Sequence, residues 1–214
     1  MKIYKIGIIG CGGIAQKMAA TLEKMKGVER YAVASRNQEK AEAFANKWGF
    51  TKAYGSYEEL ASDPEVDLIY IATPHAMHYD NAHMCIEKGK PVLCEKAFTA
   101  NARQAEDLLT FAKEKGVFIT EAIWTRYMPL SLKIQELLKE GVIGTPYTLS
   151  ANLSYPISNK ERIIRPELAG GALLDIGVYT LNFAAMAFGS DIAETHSVCQ
   201  KTQTGVDAQE SITL

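Results

Sequence analysis

The stretch from residue 5 to residue 25 constrains the fold more than any other part of the chain. An apolar run over residues 5–9 has the length of a buried strand, and it breaks into glycines just before a helical pattern begins at Ala15. A dinucleotide pyrophosphate binds at such a turn, because Gly10 allows the tight bend and Gly12 lets the backbone approach phosphate. A glycine-rich turn without a ligand is the alternative, but the strand before it and the helix after it favour cofactor binding.

The next hundred residues repeat this alternation of strand and helix. Predicted strands cover residues 29–35, 66–72, 91–94 and 117–120, and predicted helices cover residues 37–48, 77–88 and 101–115. Strands that alternate with helices at this spacing predict an α/β Rossmann fold, a doubly wound parallel sheet. Ligands of such sheets lie outside the carboxyl ends of the strands.

The exit of the second predicted strand carries Ser35 and Arg36. An NAD site places an acidic residue there for the ribose hydroxyls, whereas a small residue followed by Arg accommodates a 2′-phosphate. Glu29 lies at the wrong end of the strand for this role. The pattern therefore favours NADP over NAD, with a solvated charge in front of a helix as the alternative interpretation of Arg36.

Further polar residues follow the other predicted strands. Lys96, at the exit of the fourth, could donate to a substrate oxygen and stabilise a developing alkoxide. A surface ion pair with Glu95 is the alternative. His75 and His78 could act as ligands or bases, although isolated histidines in a loop and a first helical turn more often cap a helix or contact backbone.

The pattern changes after residue 123. A helix is predicted over residues 129–139, strands over 147–153, 195–201 and 207–214, and a helix over 172–188. We therefore predict two domains, residues 1–123 and 124–214, the second an incomplete α+β domain with a mainly antiparallel open sheet. Because the last residues still alternate, we expect either a fragment or a sheet completed by another chain.

The composition of the chain limits its possible binding partners and cellular location. The chain has 214 residues, 47% of them hydrophobic, and a formal charge of -2, which provides no field for nucleic acid. No apolar segment is expected to reach the roughly 20 residues of a membrane span, and the start leads directly into a core strand, so a cytoplasmic location is expected. The four cysteines are far apart in sequence and predict no metal site.

In the second domain, Asp175 and Tyr179 are four residues apart and would share a helix face. Tyr179 is therefore a second candidate residue for chemistry, beside Lys96. The alternative, a core tyrosine on an apolar helix, is the one that the pattern alone favours.

These motifs together resemble the glucose-fructose oxidoreductase, inositol dehydrogenase and rhizopine catabolism (Gfo/Idh/MocA) family. The resemblance covers the whole chain, and the motifs that carry it are residues 10–15, 72–78, 89–96 and 170–179. Residues 121–127 and 171–179 are similar to the branch of dimeric dihydrodiol dehydrogenases and NADP-dependent xylose dehydrogenases.

The resemblance implies hydride transfer between NADP and a hydroxyl-bearing carbon of a sugar or cyclic diol, in a homodimer formed through the second domain. It implies that Tyr179 takes the hydroxyl proton, that the charge of Lys96 lowers the pKa of this tyrosine, and that Asp175 orients the pair. The residues it assigns to the cofactor are Gly10, Gly12, Gly13, Ile14, Ser35, Arg36, Thr73, Pro74, His75, His78, Glu95, Lys96, Trp124 and Arg126. A non-catalytic NADP-binding sensor and an inactive fragment of such an enzyme are the alternatives.

One residue departs from the family pattern. Glu95 and Lys96 are followed by Ala97 where the family has proline, often after a cis peptide bond. Since a cis bond without proline costs about 2.5–4 kcal/mol, the sequence predicts a trans bond here, with Lys96 aimed differently.

Overall fold

The computed structural model of the protein describes residues 2–157 and 159–214. The chain divides into two compact units, Met1–Ala122 and Ile123–Leu214.

The first unit is built on a six-stranded sheet. Its strands are β1 (Tyr4–Ile9), β2 (Val28–Ala34), β3 (Lys52–Tyr54), β4 (Leu68–Ile71), β5 (Val92–Cys94) and β6 (Ile119–Glu121). They are ordered β3-β2-β1-β4-β5-β6 and every neighbouring pair is parallel. This is the strand order of a doubly wound dinucleotide-binding sheet, so the predicted Rossmann fold is confirmed.

Five α-helices connect these strands. They are α1 (Gly13–Leu22), α2 (Gln38–Trp48), α3 (Tyr57–Ser62), α4 (His78–Glu87) and α5 (Ala102–Lys115), with a 3-10 turn at His75–Met77 before α4. Asn37 caps α2 and Asn101 caps α5, each by accepting a backbone N–H three residues further on. Gly49 and Gly116 end the same two helices in the left-handed conformation.

The core of this unit lies on both faces of the sheet. Ile8 and Ile9 are adjacent in β1 and point to opposite faces, yet both are fully buried. A central parallel strand is covered by helices on both sides, which explains why these strands are continuous apolar runs in the sequence.

The strand β3 is one that the sequence pattern does not predict. It has three residues, pairs with β2 through Ala32 to Ala34, and lies at the edge of the sheet. Three residues are too few to show an alternating pattern, and the partly exposed side chains of β3 do not form an apolar run either.

The second unit combines helices with one antiparallel hairpin. Its elements are α6 (Pro129–Lys139), α7 (Glu161–Ile164), α8 (Val178–Phe188), β7 (His196–Lys201) and β8 (Asp207–Thr213). Three short turns accompany these helices. Two are 3-10 turns, at Trp124–Tyr127 before α6 and at Pro166–Leu168 after α7, and the third is a π-helical turn at Leu173–Gly177 before α8. The predicted helix over residues 172–188 is thus a π turn followed by α8.

The predicted strand over residues 147–153 is wrong. Within the described ranges these residues adopt no regular structure, and Tyr147 is 88% exposed. Alternation indicates a strand only where a neighbouring strand supplies a hydrogen-bonded ladder, and β7 and β8 pair with each other instead.

The stretch around α8 is more apolar than the sequence analysis predicts. Pro166–Phe188 contains an 18-residue window with a mean hydropathy of 1.4 and meets the length and composition of a membrane-spanning helix, with 11% of that window buried. Its backbone is interrupted, however, because Ala169 and Gly171 have positive φ angles of 52° and 124°. The uninterrupted helical part, Leu173–Phe188, is shorter than the roughly 20 residues that span a bilayer.

Candidate active site

The predicted site residues of the first unit all lie at one edge of its sheet. They follow the carboxyl ends of β1, β2, β4 and β5, where parallel strands direct their loops to the same side. The residues are Gly10, Gly12, Gly13 and Ile14 after β1, Ser35 and Arg36 after β2, Thr73, Pro74, His75 and His78 after β4, and Glu95 and Lys96 after β5.

The turn after β1 has the geometry of a phosphate cradle. Gly10 has a φ of 100° and donates its N–H to the carbonyl of Ala34 at 2.9 Å, and a Cβ at Gly10 would lie 2.8 Å from the carbonyl oxygen of Ala72. Gly12 and Gly13 face open space. The first N–H groups of a helix have no partner inside the helix, so the start of α1 offers donors and a positive dipole end to an anion. These residues therefore fit a dinucleotide pyrophosphate.

The exit of β2 places a cation where many dinucleotide sites have a carboxylate. Ser35 is buried and Arg36 is exposed. Burial raises the pKa of the nearby Tyr57 hydroxyl, and the charge and hydrogen bond of Arg36 oppose this shift. Arg36 is thus held beside the first turn of α3, in a position suited to an anionic group.

His78 links two of the loops at this edge. It is fully buried, with Nδ1 at 2.7 Å from the carbonyl oxygen of Ala97 and Nε2 at 2.8 Å from that of Thr73. Burial lowers the pKa of His78, and a neutral imidazole has one N–H to donate to these two carbonyls. His78 therefore contacts backbone, as the alternative interpretation of an isolated histidine predicts, while its ring packs edge-on against that of His75 with centroids 5.8 Å apart.

The segment after β5 is held by several buried contacts. Glu95 is 7% exposed and accepts a short hydrogen bond from the hydroxyl of Tyr70, and burial raises the pKa of this carboxyl. The Lys96–Ala97 peptide bond is cis, so the predicted trans bond is wrong. Tertiary contacts outweigh the local preference, since the His78 ring lies against the Ala97 carbonyl and the N–H of Phe98 donates to Glu121 at 2.9 Å.

In the second unit, Tyr179 and Trp124 are in direct contact. The indole N–H of Trp124 donates to the hydroxyl oxygen of Tyr179 at 3.1 Å, and the rings meet edge to face. Arg126, in the same 3-10 turn as Trp124, donates through Nε to the side chain of Asn182 at 2.8 Å. The turn Trp124–Tyr127 therefore lies along the first turns of α8.

Asp175 lies in the π-helical turn before α8 and is 4% exposed. It accepts a hydrogen bond of 2.7 Å from Nη1 of Arg162. A residue far along the sequence caps the same turn: the carboxylate of Asp207 in β8 accepts a hydrogen bond from the N–H of Leu173 at 2.5 Å. A Cβ at Gly171 would overlap this carboxylate, which explains why glycine is needed there.

Sequence reasoning missed several residues of these networks, among them Tyr70 and Arg162. Tyr70 could have been found, because a tyrosine inside a buried strand requires a partner for its hydroxyl. Arg162 had no comparable signal, since it lies in the four-residue helix α7 within a polar stretch without periodicity and meets Asp175 only through the tertiary fold.

A six-stranded parallel sheet with an open glycine turn at the head of its first helix defines a dinucleotide-binding protein. The comparisons with known proteins identify the family. A family model described as an oxidoreductase family with an NAD-binding Rossmann fold matches residues 4–122, and a Gfo/Idh/MocA C-terminal domain model matches residues 131–214. The chain belongs to the Gfo/Idh/MocA oxidoreductase family.

Two curated relatives agree with the branch that the motifs indicate. The chain is 40% identical to trans-1,2-dihydrobenzene-1,2-diol dehydrogenase of Xenopus tropicalis, over 98% of this chain and 64% of the relative. It is 44% identical to the D-xylose 1-dehydrogenase (NADP(+)) of Hypocrea jecorina, over 84% of this chain and 51% of the relative. The chain thus spans about half to two thirds of the length of these relatives.

Solved structures match over nearly the whole chain. An NAD binding oxidoreductase from Klebsiella pneumoniae has a TM-score of 0.84 at 29% identity, covering 98% of this chain and 62% of that protein. A 3-ketoreductase from Actinomadura kijaniata, solved in complex with NADP and TDP-benzene, has a TM-score of 0.83 at 28% identity, covering 97% of this chain and 64% of that protein.

Proposed function

We propose that the protein is an NADP-dependent oxidoreductase that acts at a hydroxyl-bearing carbon of a sugar or cyclic diol. The observation that carries the proposal lies at the carboxyl ends of the first two strands, the ligand edge of the sheet. An open glycine turn follows β1, and Ser35 and Arg36 follow β2 where an NAD site would have an acidic residue. The names of the relatives support the same reaction class, since they are dehydrogenases of a dihydrodiol and of xylose and a ketoreductase solved with NADP.

Each part of the cofactor has a counterpart among these residues. The turn from Gly10 to Ile14 and the start of α1 would hold the pyrophosphate through backbone N–H groups. Ser35 and Arg36 would hold the 2′-phosphate, with a charge-assisted hydrogen bond from the guanidinium. When bound, NADP supplies the hydride acceptor or donor of the reaction.

Tyr179 is our candidate for proton transfer. In the oxidation direction its ionised phenolate oxygen takes the proton of the substrate alcohol and becomes the hydroxyl, and the indole N–H of Trp124 stabilises the negative charge on this oxygen beforehand. Asp175 lies one turn earlier in the chain and Lys96 follows β5. Their roles in orienting the tyrosine and favouring its ionised form are those that the family resemblance implies.

The test is turnover of D-xylose and of trans-1,2-dihydrobenzene-1,2-diol with NADP⁺ and with NAD⁺, followed by the absorbance of NADPH or NADH. We expect turnover with NADP⁺, and a loss of roughly 10²–10⁴-fold in Tyr179→Phe with unchanged NADPH affinity, since only acid–base catalysis is removed. Tyr147→Phe is the matched control, because Tyr147 is 88% exposed in the same unit. Tight NADPH binding without turnover of either substrate would favour a non-catalytic sensor, and the absence of both would favour an inactive fragment.

We also propose that the protein self-associates through the second unit as a two-fold dimer. Every residue of β7 is exposed, including Val198 at 75%, and the apolar helix α8 has no fully buried side chain. An exposed apolar surface of this kind favours association. Light scattering on the parent and on Val198→Lys tests the proposal: we expect a dimer that the lysine weakens, and a monodisperse monomer of the parent would contradict it.

A further inference from the structure

Asp175 is a buried carboxylate that has an arginine partner. It is 4% exposed, and Nη1 of Arg162 donates to its Oδ1 at 2.7 Å. A buried charge is costly unless it is paired and hydrogen-bonded, so the arginine contributes to holding this carboxylate in the interior. The position of Asp175 thus depends in part on Arg162.

The segment that carries Arg162 is fixed against the π turn by its backbone. The N–H of Gly171 donates to the carbonyl of Ile163 at 2.8 Å, and the N–H of Gly170 donates to the carbonyl of Arg165 at 3.0 Å. Ile163 is itself buried, at 7% exposure. These contacts hold α7 and its arginine in one place relative to Asp175, so that the guanidinium is preorganised.

A second arginine of this segment makes different contacts. Arg165 pairs through Nε with Glu161 at 3.0 Å and with Glu167 at 3.5 Å, and the side chains of all three residues are at least half exposed. Exposed pairs of this type contribute little. Of these two arginines, Arg162 is the one whose side chain reaches the buried carboxylate.

We propose that Arg162 is a positioning residue for the reaction, acting through Asp175 on the π turn that leads into Tyr179. The inference rests on the proposed function, because Tyr179 must be the proton-transfer residue for the ion pair to affect turnover. Arg162 helps to hold the carboxylate and the carboxylate lies one turn before the tyrosine, so loss of the arginine contact would let that turn shift.

The experiment compares kcat and KM of the parent with those of three variants, using the substrate that the parent turns over. We expect kcat to fall roughly 10–100-fold in Arg162→Ala, with the KM for NADP⁺ within about twofold of the parent, because the proposed phosphate contacts are in the first unit. Arg162→Lys should recover part of the loss, and millimolar guanidinium chloride should partly restore Arg162→Ala, whereas sodium chloride should not. Arg165→Ala is the matched control and should leave kcat unchanged.

A double-mutant cycle with Asp175→Asn separates positioning from general destabilisation. If Arg162 acts through Asp175, adding Arg162→Ala to Asp175→Asn should lower kcat by less than about twofold further. Additive losses, or a KM increase with unchanged kcat, would overturn the role. An active parent whose Arg162→Ala variant keeps its kcat would overturn this inference alone, and an inactive parent would overturn the proposed function and the inference with it.

Discussion

The indole nitrogen of Trp124 lies 3.1 Å from the hydroxyl oxygen of Tyr179, and the two rings meet edge to face at an interplanar angle of 71°. The indole N–H is only a donor, so the tyrosine oxygen accepts this bond in both its neutral and its ionised form. A hydrogen bond to the ionised form favours that form. Trp124 therefore supports the proton transfer proposed for Tyr179, in addition to the cofactor contact predicted for it from the sequence.

We predict that Trp124→Phe lowers kcat about tenfold, because phenylalanine keeps the ring packing but removes the donor. Steady-state kinetics and NADPH titration measure the effect. A cofactor contact alone would instead weaken NADPH binding and leave kcat unchanged. Tyr127→Phe, an exposed position in the same 3-10 turn, is the control and should behave like the parent.

The preference for NADPH over NADH should depend on Arg36. Loss of a hydrogen bond to a charged group costs about 1.5–3 kcal/mol, so Arg36→Ala should reduce the ratio of the two affinities by roughly 10–150-fold. Calorimetric titration of both cofactors measures this ratio. Arg30→Ala is the matched control, because Arg30 lies within β2, the strand that precedes Arg36, and pairs with Glu23 away from the carboxyl end of the sheet. Equal affinities in the parent would contradict the assignment of Arg36.

Acid stability should depend on Asp63. Burial alone would raise the pKa of this carboxyl, but hydrogen bonds from Lys52, Tyr54 and the N–H of Glu65 outweigh it and lower the pKa from 3.8 to about 2. Because the folded pKa lies below the unfolded one, the stabilisation is present above about pH 4 and is lost as the pH falls towards 2. Its size is about 1–2 kcal/mol after allowance for the partly exposed lysine.

Urea unfolding at pH 7, 4 and 3 tests this prediction. Asp63→Asn should lower the free energy of unfolding by about 1–2 kcal/mol at pH 7, and the difference from the parent should shrink at pH 3. Asp191→Asn, at an exposed position, should follow the parent at every pH. A constant difference between Asp63→Asn and the parent across this range would show that the carboxylate charge is not what stabilises the fold.

The parallel sheet of the first unit is predictable because its interior strands are buried on both faces. Residues such as Ile8 and Ile9 leave no polar alternation, so their strands read as apolar runs between capped helices. Parallel topology then brings the strand exits to one edge, and for that reason the sequence alone assigns Ser35 and Lys96 to a ligand edge.

The parts that sequence did not predict depend on tertiary partners. Residues 147–153 alternate as a strand does, but among the described residues they have no hydrogen-bonded neighbouring strand and adopt no regular structure. The cis bond before Ala97 is surrounded by contacts from His78 and Glu121, neither of which is local. The pairing of Arg162 with Asp175 joins the short helix α7 to the π turn before α8, and no periodicity in the sequence predicts this contact.

The cap that Asp207 places on the π turn has a consequence for the order in which the molecule matures. Asp207 follows Leu173 by 34 positions in the chain, and its carboxylate fills the space that Gly171 leaves open. On the ribosome, the helix that carries Tyr179 therefore emerges before the residue that fixes its beginning. The hairpin contributes none of the assigned site residues, yet the helix that carries Tyr179 has its final start only after β8 has been synthesised and has paired with β7.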